Sequence, residues 1–185
     1  MRYPLVELAC AALFAATAAK IGSNWDLPAM LVLIATLIAL AIIDFEHLLL
    51  PRSIVQPATI AVLALLIMAA AAGNDWNRLY TAIICAMAWF GVFLMINLLS
   101  PRALGFGDVR LAPLLGLGLG WLGIWYAILG FFTANLLGAV TGTILVAAKR
   151  MDRNQRIPYA VFLALGSGVA IFAGSFMRQH LQQYL

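Results

Sequence analysis

Two of the seven acidic residues in this chain of 185 residues border long uncharged segments. Asp44 follows the uncharged residues 27–43, and Asp108 ends the sequence Gly105-Phe106-Gly107-Asp108. Two carboxyl groups brought together can hydrolyse a peptide bond, because the ionised one takes a proton from water while the protonated one polarises the scissile carbonyl. Gly105 and Gly107 would give the backbone conformational freedom and leave room for a peptide beside Asp108.

The composition indicates what kind of fold must position these carboxyl groups. The chain is 65% hydrophobic and 10% charged, whereas soluble domains are roughly 45–50% apolar and about 25% charged. This excludes a water-soluble globule and an intrinsically disordered chain. Long unbroken apolar runs, instead of weak alternating segments, exclude a transmembrane β-barrel. We therefore predict an all-α, polytopic membrane protein with a single domain over residues 1–185.

Breaks at Gly, Pro and charged residues divide the chain into about seven predicted spans. The uncharged residues 111–148 would form a single helix of about 57 Å, nearly twice the roughly 30 Å of a bilayer core. We therefore predict a turn at residues 120–123 and a short fifth span. The predicted spans are 4–21, 28–44, 54–72, 79–99, 109–120, 124–148 and 159–177.

The distribution of basic residues orients these spans. With a cytoplasmic N-terminus, the bias of basic residues toward the cytoplasmic side agrees with the positive-inside rule. Both Asp44 and Asp108 then lie at the cytoplasmic face. The eight cytoplasmic basic residues are Arg2, Arg52, Arg102, Arg110, Lys149, Arg150, Arg153 and Arg156, and the three on the other side are Lys20, Arg78 and Arg178.

The remaining acidic residues and both cysteines have simpler interpretations. Asp26 and Asp75 are predicted to be solvated in short loops on the side opposite to Asp44, and Asp152 to pair with its basic neighbours. Glu7 is left without a role. Cys10 and Cys85 lie in apolar runs and are predicted to pack as small apolar side chains, since two cysteines supply no four-ligand zinc site.

Small and amide residues within the spans predict helix packing. Two stripes of small residues at four-residue spacing should let helices approach closely, and Asn97 and Asn135 should form interhelical hydrogen bonds. The stripes are Ala134, Gly138 and Gly142, and Gly166, Ala170 and Gly174.

Three other interpretations of Asp44 and Asp108 stay open from the residues alone. They could be ordinary interfacial acids paired with Arg52 or Arg110. A small proton-linked transporter could use the same carboxylates as a proton relay, although transporter sites usually lie near the midplane. A non-catalytic scaffold would explain the small-residue stripes but not the glycines before Asp108.

Nearly the whole chain, in order, resembles the type IV prepilin peptidases, which are GxGD-type membrane aspartic proteases. Residues 43–51, with Asp44 followed by Pro51, resemble their first catalytic segment, and residues 105–111, with Gly116 and Gly120 beyond, resemble the second. The opening residues 2–7 and residues 157–166 resemble further stretches of the membrane portion.

This resemblance implies both an activity and its residues. Asp44 and Asp108 would be catalytic, without a metal or other cofactor. The enzyme would cleave the basic leader of type IV prepilins or type II secretion pseudopilins, typically after a Gly, at the cytoplasmic face of the bacterial inner membrane. Its partners would be that leader with its adjoining hydrophobic helix, and membrane lipid, but no nucleic acid. The other motif or substrate-proximal residues are Gly105, Gly107, Pro51, Glu46, His47 and Arg110.

Two features depart from the resemblance. Many bacterial members carry an N-terminal domain with a four-cysteine zinc site linked to N-methylation, and this chain would be a natural short form or a fragment. N-methyltransferase activity is therefore in doubt. The residue after Pro51 is Arg52, where a small polar or acidic residue is more usual. His47 lies one helical turn after Asp44 and would either tune Asp44 or extend to the headgroups.

Overall fold

The fold was examined in a computed structural model that describes residues 3–100, 104–148 and 158–182. The described residues form helices and short connections, without β-strands. The predicted all-α class is therefore confirmed. The helices are α1 (Tyr3–Ile21), α2 (Leu27–His47), α3 (Arg52–Gly73), α4 (Trp76–Leu99), α5 (Phe106–Leu122), α6 (Ile124–Ala147) and α7 (Tyr159–Gln182).

Each predicted span coincides with one helix, including the two predicted within residues 111–148. The chain turns at Gly123, whose φ of 135° is unfavourable for other residues, so that α5 ends and α6 begins on either side of it. Four helices, α2, α3, α4 and α6, are long and apolar enough to cross a membrane. The apolar segment Tyr159–Gly174 of α7 is shorter. The chain is thus a polytopic helical membrane protein.

Helix α5 lies at the centre of the bundle. Its residues are apolar on every side, which is typical of a helix enclosed by other helices. From Asp108 to Trp121, nearly every residue is buried, and α5 contacts α2, α3, α4, α6 and α7. Because α5 begins at one end of the bundle and ends at the other, it connects the polar residues at both ends.

Glycines allow α5 to approach α4 at backbone distance. A Cβ atom added to Gly116 would lie 2.5 Å from the Cα atom of Ala86, and one added to Gly120 would lie 2.8 Å from the Cα atom of Ala82. Real Cβ atoms do not approach backbone so closely, so only glycine fits without movement of α4. These glycines explain how the two helices pack so extensively.

The two small-residue stripes also pack as predicted. A Cβ atom on Gly166 would lie 2.6 Å from the backbone nitrogen of Ala134, so α6 and α7 are in backbone contact. Gly138 faces the ring of Tyr159. Gly174 faces the ring of Tyr126, and a Cβ atom on Gly174 would lie 2.5 Å from that ring. The stripes therefore join α6 to α7.

The prediction for Asp26 was wrong. Asp26 immediately precedes α2 and is only 6% exposed, whereas Asp75 is exposed as predicted. The indole Nε1 of Trp121, at the end of α5, donates a hydrogen bond of 2.9 Å to Oδ2 of Asp26. A buried indole N–H needs a hydrogen-bond acceptor, and Asp26 supplies it from a buried position.

Both cysteines are free thiols in the structure. Cys85 is buried and packs against Gly120, as predicted for a small apolar side chain, whereas Cys10 is half-buried. The predictions for Arg2, Arg102, Asp152 and the cluster between Lys149 and Arg156 lie outside the described residues.

Candidate active site

Asp44 lies in the last turn of α2 and is buried, with 6% of its surface exposed. Its Oδ2 atom accepts a hydrogen bond of 2.9 Å from the backbone N–H of Ala160. Ala160 is the second residue of α7, and the first N–H groups of a helix have no acceptor within the helix. The N-terminus of α7 therefore directs both an N–H group and its positive dipole end at the Asp44 carboxylate.

Asp108 is the third residue of α5 and is also buried, with 7% exposed. Its backbone N–H donates to the carbonyl of Gly105, and its carboxyl group interacts with the backbone N–H groups of Gly105 and of Asp108 itself. The Oδ1 atom is buried and has no hydrogen-bond partner among the residues that the structure describes.

The end of α2 and the start of α5 bring the two carboxyl groups close enough for their charges to interact. Like charges at short range in a buried setting disfavour double ionisation, so such a pair holds one proton between its members. Within the described part of the chain, no arginine or lysine forms an ion pair with either aspartate. Arg52 instead donates to Gln56, and Arg110 lies over the Phe106 ring at 4.7 Å.

The glycines before Asp108 were expected to leave room for a peptide, but the structure gives each of them a different neighbour. A Cβ atom on Gly107 would lie 2.8 Å from Cβ of Leu50, so the space beside Gly107 is filled by Leu50 and not left for a peptide. A Cβ atom on Gly105 would lie 3.2 Å from Oδ2 of Asp108. Gly107 therefore lets the segment after α2 pack on the start of α5, and Gly105 gives space to the carboxyl group itself.

The segment between α2 and α3 contains the remaining predicted motif residues. Pro51 is half-buried and caps α3 at its N-terminus, which agrees with its inability to donate a backbone hydrogen bond. Glu46 and His47 are exposed in the last turn of α2. Pro51 therefore fixes the chain path, while Glu46 and His47 lie on the surface beside the carboxyl groups.

Polar groups on α6 and α7 lie beside Asp108, and sequence reasoning predicted Asn135 among them but missed Tyr159. The hydroxyl group of Tyr159 donates a hydrogen bond of 2.7 Å to Oδ1 of Asn135, and Tyr159 interacts electrostatically with Asp108. The predicted interhelical role of Asn135 is thus confirmed. Two signals pointed to Tyr159, namely Pro158, which precedes it and suits the start of a helix, and the resemblance of residues 157–166.

A second amide positions the start of α5. The Nδ2 atom of Asn97, near the end of α4, donates a hydrogen bond of 2.8 Å to the carbonyl of Leu104. This bond connects α4 to the residue before Gly105, and it does not join two helices as predicted for Asn97. It restrains the backbone that leads into Asp108.

The donor set of the site is two carboxyl groups with tyrosine and backbone N–H groups. Over residues 3–100, 104–148 and 158–182, no group of three or more His, Cys, Asp or Glu side chains could hold a metal ion. A pair of carboxyl groups in such a setting is capable of exchanging protons with a bound molecule.

The chain is similar in sequence to known proteins over nearly its whole length. A profile described as the type IV leader peptidase family matches residues 31–145, which contain both Asp44 and Asp108. No solved structure matches. Several similar curated proteins are named prepilin leader peptidase/N-methyltransferase. They include those of Stutzerimonas stutzeri, 33% identical over 94% of this chain, Pseudomonas aeruginosa, 32% over 98%, and Aeromonas hydrophila, 30% over 100%.

The chain spans 59%, 62% and 63% of the length of these three relatives, respectively. The family profile covers more than half of the chain and includes most of α2, all of α3, α4 and α5, and most of α6. The chain belongs to the type IV leader peptidase family.

Proposed function

We propose that this chain is an aspartic endopeptidase that removes the basic leader from type IV prepilins or type II secretion pseudopilins. The observation that carries the proposal is the buried, mutually interacting pair Asp44 and Asp108, in a chain of the type IV leader peptidase family. The printed names of its relatives supply the prepilin substrate. The proposal concerns the peptidase half of that name, since the carboxyl groups that would perform it are in this chain.

The surroundings of the two carboxyl groups support different roles for them. Burial disfavours the ionised form of Asp44, and the N–H of Ala160 together with the N-terminus of α7 opposes that effect. Burial of Asp108 and the charge of an ionised Asp44 favour the protonated form of Asp108, and together they outweigh its contacts with the backbone N–H groups of Gly105 and Asp108. Asp44 is then the general base and Asp108 the general acid.

Hydrolysis would proceed in two steps at these groups. Asp44 takes a proton from a water molecule, whose oxygen bonds to the scissile carbonyl carbon, while Asp108 gives its proton to the carbonyl oxygen. The tetrahedral intermediate then collapses. The carbon–nitrogen bond breaks, the proton on Asp44 moves to the leaving amine, and a hydroxyl proton of the intermediate returns to Asp108. Both carboxyl groups end in their starting states.

The position of the pair suits a substrate that is half in the membrane. Asp44 ends an apolar helix long enough to span, and Asp108 begins the buried α5, so the pair lies at one end of the bundle. The excess of basic residues predicted at that end supports a cytoplasmic active site in the bacterial inner membrane. A leader would approach from the cytoplasm while the apolar segment after it stays among lipids.

A cleavage assay tests the proposal. Purified protein in detergent is mixed with a prepilin, and the new N-terminus of the product is read by mass spectrometry. Wild type is compared with Asp44→Asn, Asp108→Asn and the matched control Asp75→Asn, which changes an exposed aspartate at the other end of the bundle. We expect leader loss with wild type and Asp75→Asn only. Cleavage retained by either active-site variant would overturn the proposed dyad, and folded wild type inactive on several prepilins would overturn the activity.

A further inference from the structure

A second polar centre lies at the end of the bundle opposite to Asp44 and Asp108. It joins Asp26 before α2, Arg78 in the first turn of α4 and Trp121 at the end of α5. Trp121 donates to Oδ2 of Asp26, and an Nη atom of Arg78 lies 3.8 Å from the same oxygen. The guanidinium group also lies 5.7 Å from the centroid of the Trp121 ring, within range of a cation–π contact.

One oxygen of Asp26 is left without a partner. The side chain is 8% exposed, and Oδ1 is buried without a hydrogen-bond partner among the described residues. Arg78 does not supply one, because 3.8 Å to the other oxygen is already too long for a direct hydrogen bond. A buried carboxylate oxygen without a donor is costly, so this side chain calls for a further hydrogen-bond donor.

Asp26 lines a pocket in which a bound molecule could provide such a donor. Its volume is about 180 Å³, and its lining includes Asn24, Asp26, Gly73, Asp75, Arg78 and Trp121. At about 30 Å³ per water molecule, this volume accepts roughly six waters or a small polar group of similar size. The pocket contains two carboxylates and one guanidinium group, so its net charge favours a ligand with a cationic part.

The surroundings of the pocket indicate what else the ligand carries. Arg78 is 48% exposed, and its distances of 3.6 Å and 3.8 Å to Asp75 and Asp26 leave N–H donors for another anion. Trp25 beside the pocket and Trp76 at the start of α4 are exposed, as tryptophans are at a membrane–water interface. Phosphate is the anion abundant at that depth, and guanidinium binds it well.

We propose that this pocket, at the start of α2 and α4, binds a zwitterionic group in which a primary ammonium lies beside a phosphate. The ammonium donates a hydrogen bond to the carboxylate of Asp26, and the phosphate accepts from Arg78. Two sources carry this chemistry, namely the head group of an aminophospholipid and soluble phosphoethanolamine. The ligand would tie together the ends of α2, α4 and α5, far from the proposed peptidase site and independently of its activity.

Lipid binding to the purified full chain in detergent tests the proposal by native mass spectrometry. The probes are phosphatidylethanolamine, phosphatidylcholine, whose quaternary ammonium cannot donate a hydrogen bond, and phosphatidylglycerol, which has no ammonium. We expect wild type to bind phosphatidylethanolamine about tenfold more tightly than either other lipid, the ratio typical of one charge-assisted hydrogen bond. Equal binding of the three lipids would overturn the proposal.

Two variants and one soluble probe sharpen the test. Asp26→Asn keeps an oxygen for the Trp121 indole but loses the charge, so we expect it to abolish the preference for phosphatidylethanolamine. The control Glu7→Gln, which makes the matched change at an exposed carboxylate of α1 outside the pocket, should retain the preference. If Asp26→Asn does not fold, Arg78→Gln replaces it, with phosphatidylethanolamine binding expected to fall about tenfold. Displacement of the lipid by soluble phosphoethanolamine would support recognition of the head group alone, and failure to displace it would support the lipid as the source. An undiminished preference in the folded Asp26→Asn variant would overturn the proposal.

Discussion

The two ends of the bundle each bury an aspartate with one oxygen that lacks a donor among the described residues, yet their electrostatic surroundings are opposite. At one end, the charged group that interacts with Asp108 is a second carboxylate, Asp44. At the other end Asp26 faces the guanidinium group of Arg78 and the indole of Trp121. Asp26 and Asp108 are buried to a similar extent, but the neighbouring charged group is positive for Asp26 and negative for Asp108.

This difference separates two uses of a buried carboxylate. A carboxylate beside a cation stays ionised and orders the elements that hold its partners. A carboxylate beside another carboxylate shares a proton with it, so the pair can both accept and donate protons at the same pH. We therefore expect substitutions at the Asp44 end to act on catalysis and substitutions at the Asp26 end to act on stability.

The largest expected effect breaks the pair itself. Asp44→Asn and Asp108→Asn each remove one proton-transfer group while they conserve shape, so kcat/KM for leader cleavage should fall by about 10³-fold or more. The Asp26→Asn variant, at the other end, should change kcat/KM by less than about threefold if it acts only on stability. The measurement is steady-state cleavage of one prepilin by all three variants. A comparable loss in Asp26→Asn would remove the distinction between the two ends.

The next effect concerns α5, which connects the two ends. Gly116→Ala would place a Cβ atom 2.5 Å from the Cα atom of Ala86, so α4 and α5 must separate. Such overpacking costs about 1–3 kcal/mol. We expect a lower thermal unfolding midpoint together with weaker cleavage, because Asp108 moves with α5.

Gly91→Ala is the matched control for this prediction. Gly91 is also a helical glycine, on α4, and a Cβ atom there would meet nothing within 4 Å. The control should keep both the unfolding midpoint and the cleavage rate of wild type. If Gly116→Ala matched this control, close backbone packing would not be what holds α5 in place.

The sequence predicts the ends of the bundle better than the contacts made there. Apolar runs interrupted by Gly, Pro and charge predict all seven helices, since the membrane demands long uncharged helices and tolerates their breaks only at its edges. The alternation of spans then places Asp44 and Asp108 at one end. Topology alone is enough for this step, because it needs no knowledge of which helices touch.

Contacts between distant residues could not be predicted in this way. Ala160 is 116 residues from Asp44, and Trp121 is 95 residues from Asp26. A hydropathy pattern does not reveal which backbone N–H or indole will face a given carboxylate. Asp26 beside Asn24 and Trp25 has the composition of a solvated loop, and only the packing of α5 buries it.

A smaller effect sharpens the comparison from the Asp26 end. Trp121→Phe keeps an aromatic ring at the end of α5 but leaves Oδ2 of Asp26 without its indole donor, at a cost of about 1–3 kcal/mol. The thermal unfolding midpoint should fall, while kcat/KM of the protein that stays folded should not change. Trp125→Phe, an exposed tryptophan on α6, is the control and should change neither. A fall in kcat/KM without a fall in the midpoint would contradict this prediction.

The smallest effect is expected at Tyr159, which we infer to be a positioning residue beside the carboxyl pair. Tyr159→Phe removes the hydrogen bond to Asn135, and a neutral hydrogen bond contributes about 0.5–1.5 kcal/mol. Since α7 also presents the Ala160 N–H to Asp44, a loosened start of α7 should lower kcat by about two- to tenfold, with KM nearly constant. Tyr80→Phe, on an exposed tyrosine of α4, should leave both constants unchanged. An increase in KM with constant kcat would place Tyr159 in substrate binding instead, and equal losses in both variants would remove it from the site.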